Sequence, residues 1–355
     1  MTTETTPDTE LPDRTGPSDL TDRPVTAARL VVLVVVVLTL LGGALGYVLH
    51  ARQHGARHRA VAADAGFTLD PPGLYYRDAA SGRIARAAGS DGAPATVGGP
   101  SCERFYASGD RALCLRALPG TPGTPARTQA VVYDRQFHQL QALTLPGVPN
   151  RARVSPSGQV LSWTAFAVGD SYAVSGFSTR TSVLDLRTGY LIKSIEDIPL
   201  TLDGARYHAA DVNYWGVTFA ADDNRFYATV STGGRTHLVE GDLRSWSARA
   251  LKENVECPSL SPDGTRIAFK KRVSADPADP WRLYVLDLAD LSEHPVAENR
   301  NLDDQAAWLD GRTLGYALPA KDGRTTDLWS VPADGTGAPR LLAAGASSPT
   351  ALTAR

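Results

Sequence analysis

Four side chains stand where they could meet a ligand: Trp215, Glu256, Asp303 and Asp304. Each lies just before an apolar run or at its start, so each would be presented at the entry of a strand. Three carboxylates and an indole suit two kinds of chemistry. Converging acids bind a divalent cation through hard oxygen ligands, and an open position on that ion activates water. Alternatively, carboxylates beside a Trp grip a basic peptide or an apolar segment of another protein. A plainer reading stands beside both, in which the acids accept hydrogen bonds from loop backbone N–H groups.

Other catalytic signatures do not occur. The chain has no Gly-x-Ser-x-Gly elbow, no His-Glu-x-x-His pair and no Gly-rich phosphate loop. Among its 7 His, only His54 and His58 have metal-ligand spacing, and their segment is polar enough for both to be simply solvated. No cofactor and no metal ligand set are therefore expected, a divalent cation held by the acids above being the one exception left open. Of the 3 Cys, Cys102 and Cys114 flank Ser108-Gly109-Asp110 as if on neighbouring strands of one hairpin. A disulfide is geometrically accessible there, and two buried thiols are the alternative. Cys257 reads as a small buried hydrophobe.

The elements that must position these residues divide the chain of 355 residues into four spans. Residues 1–28 are rich in Thr, Pro and acids without apolar periodicity, and read as a disordered cytoplasmic tail. Residues 29–50 contain the uncharged run from Leu30 to Leu49, long enough to cross a hydrocarbon core of about 30 Å at a helical rise of about 1.5 Å per residue. A cleavable export signal is the competitor, but its apolar region is usually shorter, about 7–15 residues, so an uncleaved membrane anchor is expected. Arginines are balanced across this run, and the orientation rests on the cysteines: a disulfide implies an oxidising exterior, hence an extracytoplasmic domain. Residues 51–72 read as a stalk, and 73–355 as the folded domain. The formal net charge of −2 gives no basic face for nucleic acid.

From residue 73 onward the pattern is β throughout. The most regular stretch is Leu260-Ser261-Pro262-Asp263-Gly264-Thr265-Arg266-Ile267-Ala268-Phe269, a Pro-Asp-Gly turn followed by alternating apolar residues. Weaker copies start at Arg104, Arg153, Val217 and Ala306. A second hairpin type, with an Asp at its turn, recurs with that Asp at 78, 134, 185, 242, 287 and 334. Two hairpins per period make the four antiparallel strands of a propeller blade. Six blades are expected, or five and a stray hairpin. The unit at Tyr75 lacks an inner hairpin, and the C-terminal GASSPTALTAR is placed to supply its missing strand and close the ring.

In an up-and-down blade the connections alternate between two rims. The tight Asp and Gly turns should share one rim, and the long segments from Leu118, Ala167, Asp197, Val273 and Leu318 the other. Trp215, Glu256, Asp303 and Asp304 should ring the channel mouth on that second rim, where long loops on a rigid scaffold usually bind.

The stretch Leu260–Phe269, with its echoes at Val154-Ser155-Pro156-Ser157-Gly158 and Leu309-Asp310-Gly311, resembles the repeat of the TolB-like β-propellers. Together with the apolar run, NYWGVTF (from Asn213), NVECPSLSPDGTRIAFKK (from Asn254) and PWRLYVLDL (from Pro280) look like membrane-anchored members of that group. The resemblance covers about residues 73–345, and implies an extracytoplasmic propeller acting through protein contacts. Its periplasmic relatives carry an N-terminal α/β domain where this chain has an anchor and stalk. The expectation is an all-β, six-bladed propeller behind a single transmembrane helix, serving as a protein-interaction module for a protein or peptide partner. The rival is a metal-dependent hydrolase of the lactonase type, using Glu256, Asp303 and Asp304 in the channel.

Overall fold

In the computed structural model the Pro-Asp-Gly stretch closes a tight hairpin. Ser261 N donates to Arg266 O (2.8 Å) and Gly264 N to Ser261 O (2.9 Å). Gly264 takes φ +73°, a region costly for side chains other than Gly. The degenerate copy folds the same way: Ser155 N donates to Val160 O (2.8 Å) and Gly158 N to Ser155 O (2.8 Å). Gly158 sits at φ +79°, and Ser157 Oγ replaces the Asp carboxylate as acceptor, taking Gln159 N at 3.0 Å.

The structure describes residues 63–88, 93–118, 126–167 and 178–353. The expected tail, the anchor and most of the stalk lie outside these residues. No helix among the described residues is long and apolar enough to cross a membrane.

The strands form six antiparallel blades. Blade 2 runs outward from Arg104–Ser108 through Arg111–Leu118 and Arg127–Tyr133 to Gln139–Pro146. Blade 3 is Val148–Val154, Val160–Ala167, Ser178–Asp185 and Tyr190–Ile192. Blade 4 is Asn213–Phe219, Arg225–Thr232, Arg235–Asp242 and Ser247–Glu253, widened at its outer edge by the hairpin Leu200–Leu202 and Ala205–Tyr207. Blade 5 is Glu256–Leu260, Arg266–Arg272, Trp281–Asp287 and Glu293–Pro295. Blade 6 is Ala307–Trp308, Thr313–Pro319, Thr326–Pro332 and Arg340–Ala343. Blade 1 takes Ala346–Leu352 as its inner strand, followed by Gly73–Asp78, Arg83–Ala88 and Ala93–Ser101. The two ends of the domain are thus joined, Gly73 pairing with Leu352 and Asp78 with Ala346.

Core packing follows from period 2. In Arg111–Leu118, Ala112 and Cys114 join the cluster between blades 1 and 2, while Leu113 and Leu115 join the one between blades 2 and 3. A blade has a neighbour on each face, so both sets of alternate residues are buried and its strands read as nearly continuous apolar runs.

Two expectations need correction. The hairpin at Tyr75 is formed by the second and third strands of blade 1, since Gly73–Asp78 pairs with the inner strand on one side and Arg83–Ala88 on the other. Asp78 therefore turns on the long-loop rim, where Cys102 N reaches Gly82 O (2.9 Å), and the other five Asp turns lie on the opposite rim. The missing member was one inner strand, not a hairpin, which shifts this blade's connections by one. Nor is the stalk separate up to residue 72. Phe67 and Leu69 are buried against Tyr75, Phe105 and Phe137, and Leu69 N bonds to Arg135 O (2.7 Å) on the turn rim. Two apolar side chains gain more from this seam than from water.

Cys102 and Cys114 form a disulfide with Cα atoms 5.4 Å apart. Cys102 lies on the link from blade 1 to blade 2, just before the strand Arg104–Ser108, so the bridge anchors that link to the second strand of blade 2.

Candidate functional site

The inner strands of the propeller carry bulges, and these decide what faces the axis. Register shifts fall between Trp215 and Thr218, between Glu256 and Ser259, and between Pro149 and Arg151. Gly216 and Cys257 adopt φ +67° and +50° at two of them. A Cβ on Gly216 would lie 2.8 Å from Cys257 Cα, so Gly is required for the two strands to approach. The freed backbone groups find partners across the blade interface: Cys257 N donates to Thr229 Oγ1 at 2.8 Å.

The four predicted residues do not share one mouth. Asp304 faces the channel, where its carboxylate accepts from Arg104 Nη1 (3.2 Å) and forms an ion pair with Arg151, whose Nη1 lies 3.3 Å away. Burial opposes its charge, but these guanidiniums outweigh burial and hold the carboxyl below its ordinary range. Glu256 and Asp303 share Lys270 instead: Lys270 Nζ lies 3.5 Å from Glu256 Oε2 and also donates to Asp303 Oδ1. Burial works against the Lys270 charge, and Glu256 and Asp303 help hold its ammonium above the ordinary lysine value. The same ammonium lies 4.3 Å from the ring centroid of Trp281, whose indole also carries the Arg272 guanidinium at 4.1 Å. Trp215 is only 5 % exposed and lies in the inner strand of blade 4, so it supports the rim more than it projects from it.

Sequence reasoning named the acids and missed their counter-ions. Arg104 and Arg151, from blades 2 and 3, meet Asp304 on the link to blade 6, while Lys270 of blade 5 meets Glu256 and Asp303. The only trace of this in the sequence is Arg151-Ala152-Arg153, two cations at strand spacing just before the Ser-Pro-Ser-Gly turn. Gln305 was missed too. Its Nε2 donates to Pro258 O (2.6 Å) and Gly216 O (3.2 Å), linking the inner strands of blades 4 and 5. A divalent cation at these acids would have to displace cations that already neutralise them. Among the described residues no three His, Cys, Asp or Glu gather as a metal ligand set.

The larger opening lies to one side of the axis. A cleft of about 1020 Å³ is bounded by the excursion from Glu196 to Asn213 on one side and by Arg235, Glu253 and Arg272 on the other. Trp215, Glu256 and Trp281 are in its wall. The excursion is stiffened at several points. Ser194 Oγ accepts Glu196 N at the start of a short 3₁₀ turn, Asn213 Nδ2 donates to Glu196 Oε1 (2.5 Å), and Asp211 accepts Thr232 Oγ1 (2.8 Å) and Gly233 N (2.7 Å). Burial lifts the Glu196 carboxyl above its ordinary value. The hairpin Leu200–Leu202 and Ala205–Tyr207 places Arg206 and Tyr207 on the cleft. Of the long segments expected on this rim, Asp197–Trp215 therefore builds the cleft wall, while the central parts of those from Leu118 and Ala167 lie outside the described residues.

Six sheets, five of four strands and one of six, closed by the C-terminal strand and with ion pairs across the axis, define a six-bladed propeller of TolB-like fold. The solved structure that carries this comparison is TolB from Acinetobacter baumannii, with TM-score 0.51 and 15 % identity over 79 % of this chain and 66 % of that one. Lower similarity extends to an oligogalacturonate lyase in complex with manganese (TM-score 0.47, 11 % identity, 72 % of each chain). It extends also to a puromycin-hydrolyzing peptidase of Mycobacterium tuberculosis (TM-score 0.46, 15 % identity), where 75 % of this chain matches 42 % of that one. No family model and no curated protein matches the sequence.

Proposed function

We propose that this chain is a membrane-anchored, extracytoplasmic interaction module that receives a protein or peptide partner on its long-loop rim. The observation that carries the reading is the cleft of about 1020 Å³, a large recess built by the long excursion inserted between blades 3 and 4. Its walls mix exposed Arg206 and Arg272 with Tyr207, Trp215 and hydrogen-bonded acids, the blend of cations and aromatics common in protein-binding surfaces. The pairing of Glu256, Asp303 and Asp304 with Lys270, Arg104 and Arg151 favours binding over metal-assisted hydrolysis. The run from Leu30 to Leu49 supports the anchor, and the Cys102–Cys114 disulfide supports the oxidising side of the membrane.

A photo-crosslinking side chain at Arg206, compared with one at Thr188 in a tight turn of blade 3, tests the reading in intact cells. The Arg206 position should give a discrete crosslinked partner that sediments with membranes, and the Thr188 position should not. Equal labelling from both, or protection of the propeller from protease added to spheroplasts, would reject the rim or the orientation respectively. Turnover of a lactone by the full chain, dependent on a divalent cation, would replace this reading with the hydrolase.

A further inference from the structure

Away from the cleft, the channel holds a second opening of about 20 Å³. Its lining includes Arg104, Arg151, Arg153, Asp304 and Gln305. That volume accommodates a single water-sized species. Three guanidiniums meet one carboxylate there, and the carboxylate is already divided between two of them, Arg104 at 3.2 Å and Arg151 at 3.3 Å. Arg153 has no acid within ion-pair distance among the described residues, yet it is only 8 % exposed. Its Nη1 donates to Ala152 O (3.2 Å) and its Nη2 to Ala306 O (2.7 Å), with the guanidinium carbon 4.4 Å from the Tyr106 ring centroid. The Nε groups of Arg151 and Arg153 and the Oε1 of Gln305 are all buried without a hydrogen-bond partner. Burial draws the Arg153 guanidinium below its ordinary value, the direction expected of a cation short of counter-charge.

Buried guanidiniums in proteins are normally matched by an anion, because a charge taken out of water without one is costly. Three cations against one lining carboxylate leave this opening with an excess of positive charge, which Asp303 beside Arg151 offsets only in part. The opening's size favours a halide or a small planar carboxylate over a bulkier anion, and its charge repels a metal ion. We propose that the opening binds one small monovalent anionic group, a halide ion or a single carboxylate, held by Arg104, Arg151 and Arg153. The bound group supplies an acceptor for the orphaned Nε donors and neutralises part of the excess charge. The site does not depend on the cleft or on any partner docking there.

Thermal unfolding of the full-length chain in sodium chloride, sodium acetate and sodium gluconate at matched ionic strength tests the proposal. A ligand that binds only the folded state raises the midpoint with the logarithm of its concentration. The midpoint should climb with chloride, acetate or both, relative to gluconate, which is too bulky to enter. Acetate acting alone would assign the site to a carboxylate, and chloride acting alone to a free halide. In Arg153→Met, which keeps the bulk and removes the charge, the advantage over gluconate should vanish. If that variant does not fold, Arg104→Gln at the half-exposed wall decides, and its response should move to higher anion concentration. Identical midpoints in all three salts for the unmodified chain would overturn the site. So would an unchanged anion response in Arg153→Met or, where that variant is unfolded, in Arg104→Gln.

Discussion

Gln305 shows what one side chain can do at the centre of a ring. Its amide reaches the carbonyl oxygens of Pro258 and Gly216 from the link into blade 6, so inner strands of separate blades are held by one donor group. Gln305→Leu would keep much of the volume and leave those buried carbonyls without their donor. Leaving a buried polar group unsatisfied costs about 1–3 kcal/mol. Urea unfolding of the variant should show a lower midpoint with an unchanged slope. An unaltered midpoint would mean that water replaces the amide without loss. Nothing in the local sequence marks Gln305, because its partners come from 47 and 89 positions away.

At the scale of the element, the turns are the most regular feature. The Asp residues at 134, 185, 242, 287 and 334 each accept a backbone N–H from two residues on. Asp78 accepts Ser81 N, three residues on, at 2.8 Å, although it sits on the other rim. The chemistry of the turn is local and survives the shift in blade position. At the best-formed copy, the hydroxyl of Ser261 and the N–H and hydroxyl of Thr265 hold the Asp263 carboxyl down to about 2 from an ordinary 3.8. Asp134, Asp185, Asp222, Asp242, Asp322 and Asp334 move in the same direction. A depressed pKa stabilises the fold above the unfolded value, and that contribution is lost as pH falls through the folded value. The melting midpoint should therefore fall from just below pH 4 towards pH 2, following the Asp263 window. In Asp263→Asn the midpoint should start lower at neutral pH, and part of that acid slope should disappear. An identical slope in the variant would show that other carboxylates govern acid unfolding. The contribution of any one turn is small, since these groups are largely solvated.

The molecule as a whole depends on a seam. Blade 1 is closed by Ala346–Leu352, whose Thr350 Oγ1 also donates to Ala107 O of blade 2 (2.6 Å). Removal of the chain from Ala346 onward would uncover Tyr75 and the apolar face shared with Phe105. It would also leave the strand Gly73–Asp78 with an open edge. The truncated protein should lose its single cooperative transition and bind a hydrophobic dye at temperatures where the full chain does not. A cooperative melt close to that of the full chain would show that the five remaining blades and the disulfide suffice.

Local rules made the architecture legible. Asp and Gly at turns with alternating apolar residues between them specify hairpins, and repetition of the hairpins specifies blades. The unpaired hairpin at Tyr75 and the spare strand at the C-terminus implied the closure that the structure shows. The site was legible only in part. Glu256, Asp303 and Asp304 stand at strand entries, which the sequence determines, but their charges are answered by Arg104, Arg151 and Lys270. Arg104 and Arg151 lie 200 and 153 positions from Asp304 along the chain. The cleft arises because a segment with no repeat signal, Leu200–Tyr207, adds its strands to the outer edge of blade 4. Turn type depends on a few neighbouring residues and can be read from them. Which charge meets which across a ring depends on closure of all six blades, and only the tertiary structure decides it.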